Sequence, residues 1–214
     1  MRIAVVIVNY RTPEMVLTCL DALAGERAAV SGLRVVVVDN ASPDHSATFL
    51  ATHLAADAYA GWVEFLPLPL NGGFAWGNNQ AILSLVQADA PADAILLLNP
   101  DAVIQPGALG ALVRDMEARA DAGAVGSQLI NPDGTLSGSA FRFPSIGSEF
   151  VRGTGLAKVG RVLGIKPTMV PFGEVGPVDW LTGASVLIRV EALRQAGLFD
   201  TGFFLYFEEV ELMH

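Results

Sequence analysis

Ile3-Ala4-Val5-Val6-Ile7-Val8 runs apolar into Asn9-Tyr10, and Val35-Val36-Val37-Val38 runs apolar into Asp39-Asn40. A strand with one wet face alternates apolar and polar residues. These two do not alternate, so both are expected to be covered on two faces, as in a parallel sheet with helices above and below. Between them, Thr12 is placed as an N-cap and Pro13 at the first helical position. Val16, Leu17, Leu20 and Leu23 then recur at helical spacing and form one apolar stripe.

The same alternation continues outward. Ser42-Pro43-Asp44 starts a second helix, 63–66 reads as a short strand, and the glycine-rich stretch 71–79 leads into a helix to about 87. A strand over 94–98 stops at Asn99-Pro100-Asp101, and Pro106 opens a helix to about 119. This order predicts an α/β fold with a mainly parallel central sheet and helices on both faces. The pattern changes beyond 119. Residues 124–130 read as a strand, Asn131-Pro132-Asp133-Gly134 as a turn, and 135–137 as a partner strand. Residues 141–177 carry many Gly and Pro and read as an irregular excursion or lid. Strand character returns over 178–189, a short helix follows over 191–196, and 203–214 is apolar and acidic, as at the start of a helix. The expectation is one domain over 1–214, truncated at its C-terminal end.

With 52% hydrophobic and 16% charged residues, the 214-residue chain is not a disordered one. A net charge of −9 with no basic stripe excludes nucleic acid as a partner. An anionic ligand would need local help from backbone N–H groups, a few arginines or a metal ion. Cys19 is the single cysteine, so no internal disulfide forms, which fits a reducing compartment. The apolar start is too short for a signal peptide, and no run of about 18 apolar residues exists to cross a membrane. The expected location is cytoplasmic, with peripheral contact at the membrane's inner face through a missing C-terminal part. Within 150–165, Val151, Arg152, Lys158, Val159, Arg161, Val162 and Leu163 could also touch a membrane surface. Gly153, Gly155, Gly160 and Gly164 weaken a helix there, and a solvated lid is the preferred reading.

In open α/β sheets ligands bind beyond the carboxyl ends of the strands. Asn9-Tyr10, Asp39-Asn40 and Asn99-Pro100-Asp101 therefore converge on one edge, together with the loop 71–79. Each also reads as an ordinary device. Asp39 to Pro43 suits a turn and cap, Gly72, Gly73 and Gly77 suit a tight turn, and Phe74 and Trp76 suit packing. A dinucleotide fold needs Gly-x-Gly-x-x-Gly after the first strand, where Asn9-Tyr10-Arg11-Thr12-Pro13 stands instead; a P-loop is also absent.

These motifs occur in one order: Val6 to Tyr10, Val36 to Ser42, Asn71 to Asn79, Leu97 to Asp101, Trp180 to Ala184 and Phe203 to Leu212. In that order the chain resembles the inverting glycosyltransferase family 2, in its bacterial rhamnosyltransferase-like branch. The resemblance implies a GT-A (Rossmann-like) fold and transfer of a sugar from a nucleoside diphosphate sugar. It implies that Asp39 contacts base or ribose, that Asn9 and Tyr10 lie against the nucleotide, and that Asn71, Gly72, Gly73 and Asn78 belong to a loop closing over the donor. Asn99 stands at the first aspartate of the family's Asp-x-Asp metal motif and Asp101 at its last carboxylate. Thr182 and Gly183 would lie near donor sugar and acceptor. Glu208-Glu209 matches the acidic pair that holds the catalytic base, with Glu209 at the base position. Here Glu208-Glu209-Val210-Glu211 replaces the family's Glu-Asp-x-Asp and lengthens both aspartates by a methylene.

Inverting transfer is one displacement at the anomeric carbon, with a base taking the acceptor's proton. The diphosphate leaving group gathers negative charge, which a divalent cation (Mg2+ or Mn2+) held by Asp101 and the phosphates would offset. The implied donor is a dTDP- or UDP-sugar, rhamnose among the options, and the implied acceptor a glycan or lipid-linked hydroxyl. Arg142 is a further candidate phosphate contact. A nucleotidyltransferase and a non-catalytic nucleotide-sugar-binding module remain alternatives.

Overall fold

The structure, a computed structural model of the chain, describes residues 1–156 and 162–214. Four parallel strands come first: β1 (Ile3–Asn9), β2 (Arg34–Asp39), β3 (Val63–Pro67) and β4 (Ala94–Leu98). After them come β5 (Ala124–Gly126), the short antiparallel pairs β6 (Leu129–Ile130) with β7 (Leu136–Ser137) and β8 (Ala140–Phe141) with β9 (Trp180–Leu181), and β10 (Ser185–Arg189). The main sheet has the order β3-β2-β1-β4-β10-β5, with β10 antiparallel to β4. The chain leaves β1 toward β2 and β3, then returns to lay β4 on β1's other side. That reversal opens a crevice beyond the carboxyl ends of β1 and β4.

The apolar runs split by parity, because successive strand residues point to opposite faces. Val5, Ile7, Val35, Val37 and Leu96 pack with Leu20 and Leu23 of α1 (Pro13–Glu26), Leu50 of α2 (Ser46–Leu54) and Leu109 of the helix Ala108–Ala118. Val6, Val36, Val38, Ile95 and Leu97 face the other way, onto Ile82 and Leu85 of α3 (Gly73–Gln87). The helix Ala108–Ala118 is α4. It is followed by α5 (Ile146–Thr154), α6 (Val190–Ala196) and α7 (Glu208–Leu212). Gly77 lets α3 close on the sheet, since a Cβ there would sit 3.2 Å from Cγ1 of Val8.

Three local expectations are corrected. The Thr12 side chain caps nothing and instead donates to Oδ1 of Asn9, which also accepts the Thr12 N–H. The second helix starts at Ser46, not at Ser42, because Asp39 takes the Ser42 side chain and Asp44 accepts both the N–H and the hydroxyl of Ser46. The strand expected over 124–130 breaks at Ser127 and Gln128. Ser127 hydrogen-bonds the Ser185 hydroxyl at 2.8 Å, while the Gln128 amide donates to carbonyls of Leu129 and Ser137. The expected turn forms, with Gly134 N–H donating to the Asn131 carbonyl at φ +84°.

The stretch 141–177 is not irregular throughout. Ser145 and Ser148 form a reciprocal capping box that starts α5, and Gly155 ends it in the left-handed region. Of the surface-contact stretch, Lys158, Val159, Gly160, Arg161 and the Arg152 side chain lie outside the described residues, whereas Val162 and Leu163 are exposed. Among the described residues no helix is long and apolar enough to cross a membrane.

Candidate active site

At the ends of β1 and β2 the polar residues satisfy one another. Asp39 is 1% exposed, and Asn9 is fully buried. Oδ1 of Asp39 accepts from Nδ2 of Asn9 and from the Ser42 hydroxyl, both at 2.7 Å, and Oδ2 accepts the Ser42 N–H at 3.0 Å. A carboxylate offers about four lone-pair sites, so three are already used. The Asn9 carbonyl accepts the Asn40 N–H, which ties the two strand ends together. Tyr10 is exposed beside this network.

Asn40 extends the network to the glycine loop. Its Nδ2 donates to Oδ1 of Asn71 at 2.9 Å and to the Gly73 carbonyl at 3.1 Å, while its own Oδ1 is buried without a partner. Oδ1 of Asn71 also accepts the Gly73 N–H. Gly73 has φ +88°, and a Cβ there would collide with the Phe204 carbonyl, which accepts the Phe74 N–H. At Gly72 a Cβ would run into the Trp76 ring. Close backbone approach therefore requires both glycines. Asn78 is buried and donates back to the Phe74 carbonyl inside α3, so it braces the helix. Asn79 clamps Phe199 through both its amide atoms.

The end of β4 is different. Asp101 is exposed, and the turn that carries it is gathered around Cys19, whose Sγ lies 3.3 Å from the Pro100 carbonyl and 3.2 Å from that of Ala102. Burial, and then the charge of Asp101, push the Cys19 thiol up to about 12, so it stays protonated. The Asn99 N–H donates to the Ala184 carbonyl, which sets the segment 182–184 against the end of β4. There the Gly183 N–H donates to Oε1 of Glu209 at 2.9 Å. A Cβ at Gly183 would collide with that carboxylate and would lie 3.2 Å from the Phe74 ring. Thr182 N–H donates to the Ser139 carbonyl. Next to Glu209, Glu208 is 2% exposed, and its Oε2 has no partner. Burial, and then the neighbouring Glu209, raise its pKa above the usual carboxylate value.

At the sheet's carboxyl edge the structure thus brings Asn9, Asp39, Asn71, Gly72 and Gly73 into one cluster, and Asn99, Gly183 and Glu209 into a second. The Phe74–Phe204 contact joins the two. Backbone strain marks the same places. Among the described residues, the non-glycine residues with left-handed φ are Arg11, Ala41, Leu198, Tyr206 and Phe207. Arg11 and Ala41 follow β1 and β2, while Tyr206 and Phe207 precede Glu208. Each such residue costs about 1–3 kcal/mol, and such outliers concentrate at functional sites. Arg142 does not reach this edge by hydrogen bond; it donates to the Pro167 carbonyl and pairs with Glu174. His214 lies edge-on to Phe143.

Asn40 and Phe204 are parts of the edge to which motif reading gave no role of their own. Asn40 was legible only as Asp39's neighbour, and Phe204 acts through its carbonyl, which no side-chain pattern reveals. A cavity of about 780 Å³ lies elsewhere, behind β9, lined by Val125, Phe172, Val178, Leu181 and Met213 among others. Among the described residues no three His, Cys, Asp or Glu side chains are grouped to hold a metal ion.

The model of glycosyl transferase family 2 matches residues 4–161. The N-acetylglucosaminyl-diphospho-decaprenol L-rhamnosyltransferase of Mycobacterium tuberculosis (strain ATCC 25618 / H37Rv) is 30% identical over 203 residues, covering 89% of this chain and 62% of that protein. Rhamnosyltransferase WbbL of Escherichia coli (strain K12) is 28% identical over 145 residues, 65% of this chain and 52% of that protein. The chain therefore spans about three-fifths of the length of the first of these curated relatives. Among solved structures, mannosyltransferase PcManGT from Pyrobaculum calidifontis, in complex with GDP-Man and Mn2+, has a TM-score of 0.62 at 18% identity, covering 94% of this chain and 48% of that one. S. aureus TarS 1-349 in complex with UDP gives 0.60 at 15% identity, covering 100% and 54%. Those two likenesses speak for the GT-A fold. With the ordered strand-end motifs and the family match over most of its length, the chain belongs to glycosyl transferase family 2, as a rhamnosyltransferase-like member.

Proposed function

We propose that the protein is an inverting glycosyltransferase that moves a sugar from a dTDP- or UDP-sugar, rhamnose foremost, to a hydroxyl of a glycan or lipid-linked acceptor. The observation that carries this reading is the Gly183 N–H holding Oε1 of Glu209 at 2.9 Å beside the β4 end that bears Asp101. One oxygen is fixed by the backbone, which orients the carboxylate and leaves the other to accept the acceptor's proton. Glu209 is then the general base. Glu208 is its buried neighbour, with a raised pKa.

Tyr10, Asn71, Gly72 and Gly73 form the donor's nucleotide side, with Asn9 and Asp39 holding that side in shape. Asn99, Thr182 and Gly183 flank the sugar. Asp101 is a single exposed carboxylate, so it fits an ion shared with the donor phosphates better than one caged by protein. A divalent cation bound there, Mg2+ or Mn2+, would offset the charge that gathers on the leaving diphosphate. The activities named for the two curated relatives support rhamnose and, for one of them, a polyprenol-linked acceptor. A lipid-linked acceptor would place the reaction at the cytoplasmic face of the membrane.

The test is product analysis with dTDP-rhamnose and a panel of UDP-sugars, with Mn2+ or chelator. Transferred sugar with inverted anomeric configuration is the expected result. Pyrophosphate release in a parallel assay supplied with a nucleoside triphosphate and a sugar 1-phosphate would instead mark a nucleotidyltransferase, and nucleotide binding with no product in either assay would mark a binding module.

A further inference from the structure

Phe204, Leu205, Tyr206 and Phe207 form an uninterrupted apolar run that the fold leaves exposed, at 60%, 53%, 72% and 65%. Two of the four, Tyr206 and Phe207, are also held at φ +70° and +71°. Exposed apolar surface and left-handed backbone are both unfavourable. The loop is nevertheless pinned at both ends. Its Phe204 carbonyl accepts the Phe74 N–H at the start of α3, and its Phe207 carbonyl accepts the Glu211 N–H in α7. It therefore spans from the glycine loop of the donor side to the helix that carries Glu209. The Phe74 ring, 3.2 Å from where a Cβ of Gly183 would lie, closes the circuit between them.

We propose that Phe204, Tyr206 and Phe207 form the platform on which the acceptor's pyranose ring stacks, resting on the glycosyltransferase reading above. An acceptor hydroxyl at Glu209 puts its own ring within a few ångströms of that residue, and the aromatic run ends two residues before it. A pyranose presents an apolar C–H face, which an aromatic ring covers while the hydroxyls stay at the rim. The Tyr206 hydroxyl adds a hydrogen-bonding tip to such a surface. All three side chains are exposed, and Tyr206 and Phe207 are so on a backbone held at left-handed φ. A membrane surface is the competing partner for exposed aromatics. It is disfavoured by charge: residues 200–214 hold Asp200, Glu208, Glu209 and Glu211 and no Lys or Arg, so an anionic bilayer would repel them.

The experiment titrates the 214-residue chain with octyl pyranosides of N-acetylglucosamine, rhamnose and mannose, below micelle formation, with UDP or dTDP and Mn2+ present. Calorimetry reads glycoside and nucleotide affinity separately. Tyr206→Ala and Phe207→Ala should each weaken glycoside binding about tenfold, the scale of one aromatic contact. Nucleotide affinity and melting temperature should stay unchanged, and Tyr206→Phe should restore most of the glycoside affinity. If the wild type binds none of the glycosides at millimolar concentration, or if the alanine variants bind them as tightly as the wild type, the platform is overturned. It is equally overturned if those variants lose only co-sedimentation with phosphatidylglycerol vesicles, since the loop is then a membrane contact. Glycoside binding that depends on these rings in a chain that binds no nucleoside diphosphate keeps the platform and removes the transferase reading instead.

Discussion

The two halves of the candidate site are built on opposite principles. At the ends of β1 and β2, Asn9, Asp39 and Ser42 are buried or nearly so and spend their hydrogen-bonding capacity on one another. At the end of β4 and the start of α7, Asp101 is exposed, Glu209 has one oxygen held by backbone, and Oε2 of Glu208 has no partner. Apart from Oδ1 of Asn40, which is buried without a partner, the first half is a finished polar network. The second is electrostatically unfinished, with three carboxylates and no cation among the groups just named. A polar residue at a strand end can thus serve a site by being rigid or by being available, and burial separates the two.

The largest effects should fall on the unfinished half. Glu209→Gln is expected to cut turnover by about 10²–10⁴-fold, the usual contribution of a general base, while donor affinity holds. Gly183→Ala tests the same point through sterics alone, because its methyl group would enter the space of the Glu209 carboxylate. A loss of about 100-fold in turnover is expected, the scale of a displacement near 1 Å. Wild-type turnover in Gly183→Ala would show that the held carboxylate is not the base.

The finished half should answer in stability first. Asp39→Ala strands the Asn9 amide and the Ser42 hydroxyl, at a cost of about 1–3 kcal/mol. Most domains have roughly 5–15 kcal/mol, so the variant should stay folded and lose nucleotide affinity as its edge loosens. Denaturant unfolding together with calorimetry checks both. Weaker nucleotide binding at an unchanged unfolding midpoint would mean that Asp39 is an available group, and the contrast between the halves would break at its centre.

Asp101→Asn should do the reverse. Its side chain is exposed and makes no hydrogen bond or ion pair among the described residues, so the change should shift stability by no more than about 0.5 kcal/mol. The variant should nevertheless lose most of the Mn2+ dependence of UDP binding. If wild-type UDP affinity is the same with Mn2+ and with chelator, the metal reading fails.

The smallest effect concerns Glu208, whose buried carboxyl titrates above its unfolded value near 4.3. Below that pH both states are protonated, and the group carries no penalty. As pH rises, the unfolded chain releases its proton first, so stability declines until the folded group also ionises. Glu208→Gln removes this decline. It should melt higher than wild type at neutral pH, and the gain should vanish below about pH 4. An equal gain at all pH values would assign the effect to packing.

Much of this was legible in the residues. Unbroken Val35 to Val38 can be stable only under cover on both faces, and the alternation of such runs with helical stripes leaves few topologies. The convergence of Asn9, Asp39 and Asn99 on one edge follows from that topology. The helix start at Ser46 was not legible, since Ser42 and Asp44 are both good caps and only Asp39's position decides between them. The capping box of α5 was present in the sequence as Ser145 and Ser148, but the glycines around it masked the signal.

What the sequence determined by itself is the layered α/β order, the family, and the set of polar residues that reach the sheet's carboxyl edge. Periodicity and motif order are properties of neighbours along the chain, so they survive without coordinates. Only the tertiary structure decided that Asp39 is buried while Asp101 is exposed, that Gly183 holds Glu209, and that Phe204 meets Gly73. Each of these depends on atoms brought together from distant segments, 26 residues apart for Gly183 and Glu209. Burial and hydrogen-bond partnership arise only when the chain closes on itself, and no spacing within one segment encodes them.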